Sequence, residues 1–306
     1  MSAPADSLKL PDLEQPDRRP ADGVLARKQL LPSVIYWGLH VLALGVIFTP
    51  ASPKVLVLTA VTFWLRLLSI TAGYHRYFAH RAYRTSRAFQ FLLALVGTSA
   101  TQKGPLWWAG GHRRHHRYSD QPGDMHSPRE GFWYSHQGWI LDTQWERTEL
   151  ENIRDFARYP ELMWLNRWHF VPPIALALLC TWIGGFAGVL WGYVLSTVLL
   201  WHTTYTINSL AHRFGSQRYQ TGDDSRNNWF LALLTLGEGW HNNHHWFMSS
   251  ARNGFFLWEI DITYYALRAL AAVGIVWDLK EVPESFLHPT AEAAPAPLTE
   301  PESSPS

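Results

Sequence analysis

FVPPIALALLCTWIGGFAGVLWGYVLSTVLLWHTTYTIN, residues 170–208, decides the fold class. Nearly forty residues pass without one Asp, Glu, Lys or Arg. At about 1.5 Å per helical residue that is enough for two passes through a hydrocarbon core about 30 Å thick, provided the chain turns in the middle. Gly184-Gly185 offers the turn. The segment reads as a helical hairpin in a bilayer, with passes over about 170–186 and 188–208.

Upstream, an apolar run from Ser33 to Phe48 follows Pro32 and ends at Thr49-Pro50, and a second runs from about Val55 to Ala72. These predict spans over 33–49 and 55–73, making an all-α integral membrane protein of four transmembrane helices. Arg66 lies inside the second span, where an unpaired charge is costly, so it is expected to face a polar partner within the bundle. The run Phe91–Ala100 is too short to cross and fits a re-entrant or interfacial helix; Trp229–Leu236 and Tyr264–Val276 fit the membrane face. Composition agrees with a membrane setting, since 17 Trp, 15 Phe and 12 Tyr accompany a net charge of only +1. That balance gives no basic field for nucleic acid. A single cysteine, Cys180, rules out a disulfide framework and thiolate-held metal clusters.

Residues 1–30 are polar and read as a cytoplasmic N-terminal segment, partly disordered and without a secretory signal; 31–282 form the membrane domain; 283–306, rich in Pro, Ala, Glu and Ser, read as a disordered tail. Basic residues set the orientation. Arg18, Arg19, Arg27 and Lys28 precede the first span, a run of arginines fills the central loop, and Arg213, Arg218 and Arg226 follow the last span, against Lys54 alone on the other side. By the positive-inside rule the loops and termini face the cytoplasm. The protein is thus expected in the inner (cytoplasmic) membrane.

Three histidine clusters then fall on that one face: His75 and His80 in HRYFAH, His112, His115 and His116 in HRRHH, and His241, His244 and His245 in HNNHH. In the last two, the i, i+3, i+4 spacing points all three imidazoles to one side of a helix. His75 and His80 are five apart, which implies a distorted helix or two separate positions around a site. His212 and Asn208, four apart at the end of the last span, would share a helical face. The remaining histidines, His40, His126, His136, His169, His202 and His288, lack ligand spacing and read as structural or interfacial. Eight clustered imidazoles exceed the needs of one metal ion, so the economical reading is a dinuclear, nitrogen-rich centre. Such ligation suits iron, zinc or copper. Two irons could activate dioxygen against an unactivated C–H bond. Hydrolytic zinc would need a carboxylate base, for which Glu238 and Asp124 are candidates, though both better suit orienting the ligands.

The motifs TAGYHRYFAH, HRRHHRYSD with DMHSPREGFWYSHQGW after it, NSLAH and GEGWHNNHH, in that order over roughly 33–282, resemble the membrane fatty acyl desaturase family, in its stearoyl-CoA (delta-9) branch. The resemblance implies four transmembrane helices with a cytoplasmic helical cap enclosing two iron ions. It implies that His75, His80, His112, His115, His116, His212, His241, His244 and His245 are iron ligands, with Asn208 holding a metal-bound water. It also implies a bent acyl tunnel whose kink is lined by Gln102, Trp108 and Thr204. The expected partners are molecular oxygen, membrane lipid, a fatty acyl substrate on CoA, phospholipid or carrier protein, and a separate electron donor. That donor would be a ferredoxin, a rubredoxin or a b-type cytochrome with its reductase, since the stretch from Pro283 onward is not expected to form a fused heme domain. Two departures stand out. Where acyl-CoA-using animal members carry an Arg-Asp pair and an Arg-Lys pair, this chain has Gly110-Gly111 and Thr143-Gln144. The alternative readings are a related di-iron hydroxylase and, from another class, a metal transporter or sensor.

Overall fold

The computed structural model describes residues 25–288, and the fold is mostly helical. Helix α1 (Leu25–Ala43) continues as a 3-10 turn to Phe48, and α2 (Pro53–Leu68) starts on a Ser52 cap and passes without a break into a π-helix, Ser69–Ala79. Among the described residues, three helical stretches are long and apolar enough to cross a membrane: Leu30–Phe48, Pro53–Ala79 and Val171–Ser209.

The last of these doubles back. Gly185, in α8 (Val171–Ala187), sits at φ 60 and ψ −147, outside any helical region. On an unbroken helix Gly188 would lie about 12 Å along the axis from Cys180. Instead, a Cβ on Gly188 would stand 2.2 Å from the Cys180 carbonyl oxygen, and one on Gly192 would press 2.8 Å from Leu58. The two legs therefore pack antiparallel, the second running through a π-helical turn, Gly188–Leu195, into α9 (Ser196–Ser209). Glycines let the backbones approach this closely. Gly188→Leu is expected to cost at least about 1–3 kcal/mol through overpacking, read as a lower thermal midpoint of the detergent-solubilised protein; an unchanged midpoint would show that the legs do not press together there.

The outward faces of these stretches are apolar: Phe48 is 86% and Trp182 83% exposed. Polar groups are held inside. Arg66, 1% exposed, donates to the Thr62 carbonyl (2.8 Å), Thr197 Oγ1 (2.7 Å) and Ser196 Oγ (2.6 Å), pinning α2 to α9 in the structural role expected of it. A string of imidazoles does the same for α1. His40 Nε2 lies 3.0 Å from His202 Nε2, whose Nδ1 lies 2.9 Å from His136 Nε2.

Polar segments assemble over the ends of α2 and α9. After the short strand β1 (Arg84–Thr85) come α3 (Arg87–Thr98), which is the short apolar helix expected near 91–100, and α4 (Pro105–Tyr118), which carries HRRHH. Short helices follow: α5 (Phe132–His136), α6 (Arg154–Ala157) and α7 (Pro160–Arg167). Beyond α9 lie α10 (Trp229–Leu234), α11 (His241–Trp246) with HNNHH, and α12 (Ile262–Ala272). Strand β2 (Val276–Trp277) then pairs antiparallel with β1.

Beyond Pro283 the chain is not featureless at once. α13 (Glu284–Leu287) packs its Phe286 ring 4.7 Å from Phe247, and the Phe286 carbonyl accepts from Trp246 Nε1 at 2.9 Å. Ordered structure thus extends past 282 because one aromatic residue in a Pro- and Ala-rich stretch finds a partner. Of the segments expected to be disordered, 1–30 and 283–306, residues 1–24 and 289–306 lie outside the described residues.

Candidate metal centre

His75 and His80 are brought together by the π-helix. The His80 amide donates to the His75 carbonyl at 3.1 Å, an i→i−5 bond that stacks residues five apart on one face. This is the distortion that the five-residue spacing demands. α4 and α11 each present three imidazoles, and each helix divides them between two groups. His75, His80, His112, His116 and His244 form one set; His115, His212, His241 and His245 form the other, the candidate nitrogens of each set lying within 4.8 Å of one another. All nine sequence-predicted imidazoles therefore meet.

Hydrogen bonding alone does not account for this convergence. A ring nitrogen has one in-plane orbital, holding either a proton or a lone pair. Yet His112 Nε2 lies 2.9 Å from His80 Nε2 and 3.0 Å from His116 Nε2, and His244 Nε2 lies 3.0 Å from both His75 and His116 Nε2. A cation between them satisfies every lone pair. Imidazole–metal distances of about 2.0–2.1 Å at right angles put neighbouring nitrogens about 2.9–3.0 Å apart, whereas tetrahedral angles require about 3.3–3.4 Å. The observed separations of 2.9–3.0 Å are short enough for these nitrogens to share one cation. In the second set His212 and His241 Nε2 are 3.0 Å apart, while the Nε2 atoms of His115 and His245 are buried and have no protein partner. These donors fit two metal ions.

Four of these imidazoles have a carboxylate at Nδ1, and in His115, His212 and His245 it is hydrogen-bonded, which fixes the tautomer that leaves Nε2 free. The pairs are His75–Glu238 (2.5 Å), His115–Asp124 (2.9 Å), His212–Asp120 (2.8 Å) and His245–Asp223 (2.6 Å). Burial would raise Asp124 and Asp223, but the His115 and His245 imidazoles hold both below the usual carboxylate range. Burial also pushes His80, His112, His116, His241 and His244 well below the ordinary imidazole value, so they stand neutral, as ligands must. Of these carboxylates, Glu238 and Asp124 were legible beside their clusters. Asp223 carried no sequence signal, and Asp120 only its nearness to HRRHH.

Asn208 and His212 do not share a helical face. α9 ends at Ser209, the Ala211 amide reaches back to the Thr206 carbonyl (3.1 Å), and the turn hands His212 to Asp120. His126, read as structural, is buried beside His115 (ring centroids 4.3 Å apart), where burial pushes it down to about 3.

Two cavities meet at the metal groups, sharing Trp108, His112, Thr204 and Asn208 in their walls. The first is lined further by Tyr36 and Trp201 and by Trp139 and Ile140; the second by Leu67, Ile70, Ile207 and Thr235. At the junction Trp108 Nε1 donates to Gln102 Oε1 (3.2 Å) and Gln102 Nε2 to Thr204 Oγ1 (3.0 Å), while the Trp108 ring stacks on His112. Thr101 and Lys103, at φ 60 and 62, flank Gln102 in the left-handed region that non-glycine residues rarely enter. Such strain persists where the surroundings dictate a side chain's position.

A helical bundle with apolar outer faces, in which nine imidazoles gather beside two mostly apolar cavities, has the donors to hold metal and apolar space next to them. Comparison with known proteins is specific. A sequence model of the fatty acid desaturase family matches residues 51–283. An sn-1 stearoyl-lipid 9-desaturase of Anabaena variabilis is 37% identical over 81% of this chain and 92% of its own. An acyl-CoA 5-desaturase of Anemone leveillei is 38% identical over 81% and 78%, and delta-9 acyl-lipid desaturase 1 of Arabidopsis thaliana 38% over 71% and 72%. The chain belongs to the fatty acid desaturase family and is an oxidoreductase acting on fatty acyl chains. The transporter reading falls with that result.

Proposed function

We propose that this chain is a four-span membrane desaturase with its histidine-bearing cap at the cytoplasmic face, which binds two iron ions and inserts a cis double bond near the middle, at delta-9, of a saturated acyl chain. The observation that carries the reading is the convergence of nine imidazole nitrogens, in sets of five and four, at the junction of two cavities. The doubled-back third stretch supports the span count, and the basic residues flanking it support the orientation.

The overall change is R–CH2–CH2–R′ + O2 + 2 e⁻ + 2 H⁺ → R–CH=CH–R′ + 2 H2O, the electrons coming from a separate ferredoxin, rubredoxin or b-type cytochrome. Iron, which the two histidine sets would hold with Asn208 contributing through a water, would supply oxygen reduction and removal of hydrogen from C–H bonds. The protein supplies register. Apolar and aromatic walls exclude water and hold the acyl chain extended on either side of the junction, and the Gln102–Trp108–Thr204 hydrogen bonds fix the bend so that one pair of adjacent carbons passes His112 and Asn208. Carboxylates on Nδ1 keep the imidazoles from turning.

Thr204→Val retains volume and removes the Gln102 contact. The expected result is a fall of about tenfold to a hundredfold in kcat and the appearance of neighbouring double-bond positions among the products, located by mass spectrometry of derivatised lipids. A stability change with no shift in position would assign Thr204 to packing alone. Expression in a host that lacks unsaturated fatty acids tests the whole reading. An alkene of unchanged oxygen content is expected; an alcohol would identify the hydroxylase alternative.

A further inference from the structure

Acyl-CoA and acyl-lipid relatives match this chain about equally, at 38% and 37–40% identity, so likeness does not choose the acyl carrier. On the reading of the site as an acyl desaturase, we propose that the acyl group reaches it as the ester of a membrane glycerophospholipid rather than as the thioester of CoA.

Coenzyme A carries three phosphates, together about four negative charges at neutral pH, and its capture calls for basic side chains free to meet them. The wall beside the first cavity offers the reverse. Residues 142–151 pack against α4, where Trp107 Nε1 donates to the Trp145 carbonyl at 2.7 Å. That segment carries Asp142, Glu146, Glu149 and Glu151 against Arg147, four negative charges less one positive, or −3. Arg114 cancels one of them through Glu149 at 2.9 Å. The Gln144 amide is spent on Asp142 Oδ2 (2.6 Å) and Tyr134 Oη (3.1 Å). Nor can α4 reach outward at Gly110 and Gly111. A Cβ there would stand 3.2 Å from the Glu149 carbonyl oxygen and 2.9 Å from Met125 Sδ, so both positions face packed protein. Lys103 is the one ammonium lining the cavity among the described residues. It lies 4.3 Å over the Trp107 ring, and burial brings it down to about 8, against the opposing pull of Glu146. One such cation suits a single phosphodiester, not a nucleotide with four charges.

What the wall does offer is a buried aromatic lining for an acyl chain. Trp107 and Trp139 stack with centroids 6.0 Å apart and planes within 2°, joined by Met125 and flanked by Tyr134 and Trp145. On the other side Tyr36 of α1 donates to Gln137 Oε1 at 3.0 Å and stacks 5.1 Å from Trp201. α1 belongs to a stretch able to cross the membrane, and its Trp37, next to Tyr36, is 47% exposed. The cavity wall is thus shared with a lipid-facing helix, whose exposed Trp37 is of the type that settles at the level of lipid headgroups. A phospholipid can feed one chain into the cavity while its glycerol stays in that layer.

The test uses the full-length protein freed of metal and two stearoyl probes with the same mid-chain diazirine, one on phosphatidylcholine and one on CoA, at equal concentration in detergent. After irradiation, adducts are mapped by peptide mass spectrometry. The phosphatidylcholine probe is expected to label the peptides bearing Gln102–Trp108 at least tenfold more than the CoA probe. Glu146→Lys is expected to narrow that gap threefold or more by raising the CoA signal. Equal or stronger labelling by the CoA probe, or lipid adducts confined to the outer face of α1, would overturn the assignment. Because labelling needs no metal, it separates from the desaturase reading. A double bond formed only in an acyl-CoA pool would keep that reading and defeat the phospholipid one.

Discussion

Replacing His112 or His244 with alanine is expected to lower desaturation by at least about a thousandfold, since losing about 4 kcal/mol of metal-based transition-state stabilisation corresponds to three decades in rate. Each of these two Nε2 atoms touches two others of the five-imidazole set, at 2.9–3.0 Å, so removing either opens two edges of the group at once. The four-imidazole set keeps all its members. Metal content is therefore expected to fall from two ions per chain to one, with helicity by circular dichroism unchanged. His288→Ala is the control: its side chain is 70% exposed and outside both sets, so activity and metal content should stay as they are. Retention of two ions by the His112 or His244 variants would mean that the five nitrogens do not share a metal.

The second large effect is expected one step further out. Asp120 accepts from His212 Nδ1 (2.8 Å) and from the Asp224 amide (2.8 Å), and both it and the imidazole are buried. Asp120→Asn keeps the shape and removes the charge that holds the ring in its ligand tautomer. Metal affinity of the four-imidazole set should drop about tenfold to a hundredfold, measured as iron retained against a graded chelator. The sign with pH follows from the same pair. His212 holds the Asp120 pKa below the usual carboxylate value despite the opposing effect of burial, so its charge persists through mildly acid conditions and the support it gives fails only as pH falls through that lowered value. In the Asn variant this acid-side component should be missing. Unchanged retention would assign Asp120 to holding the 224 loop alone. Glu238→Gln is a less clean test, because Glu238 also meets Arg76, which is 1% exposed and shared with Asp261.

Features written locally in the chain were legible. An uncharged run interrupted by Gly184-Gly185 predicts a hairpin because length, hydropathy and the turn are all properties of adjacent residues, and the structure doubles back there. The i, i+3, i+4 histidines project as helical geometry requires. His75 and His80 announced a distortion by their spacing, although not that a π-helix would resolve it. What depends on distant pairing was opaque. Asp223 meets His245, and Asp120 meets His212 across 92 residues; no local pattern marks either contact. The Asn208–His212 face failed because the pull of Asp120 and the end of α9 outweigh helical continuation. The junction residues Gln102, Trp108 and Thr204 entered through resemblance alone. Their hydrogen bonds and the strained backbone around Gln102 give that expectation a physical basis.

Elemental analysis of active, purified protein, paired with X-ray absorption at the metal edge, bears most directly on the centre. The account predicts two irons per chain in a nitrogen- and oxygen-only environment. A single metal atom in fully active protein, or tetrahedral zinc in its place, would contradict it.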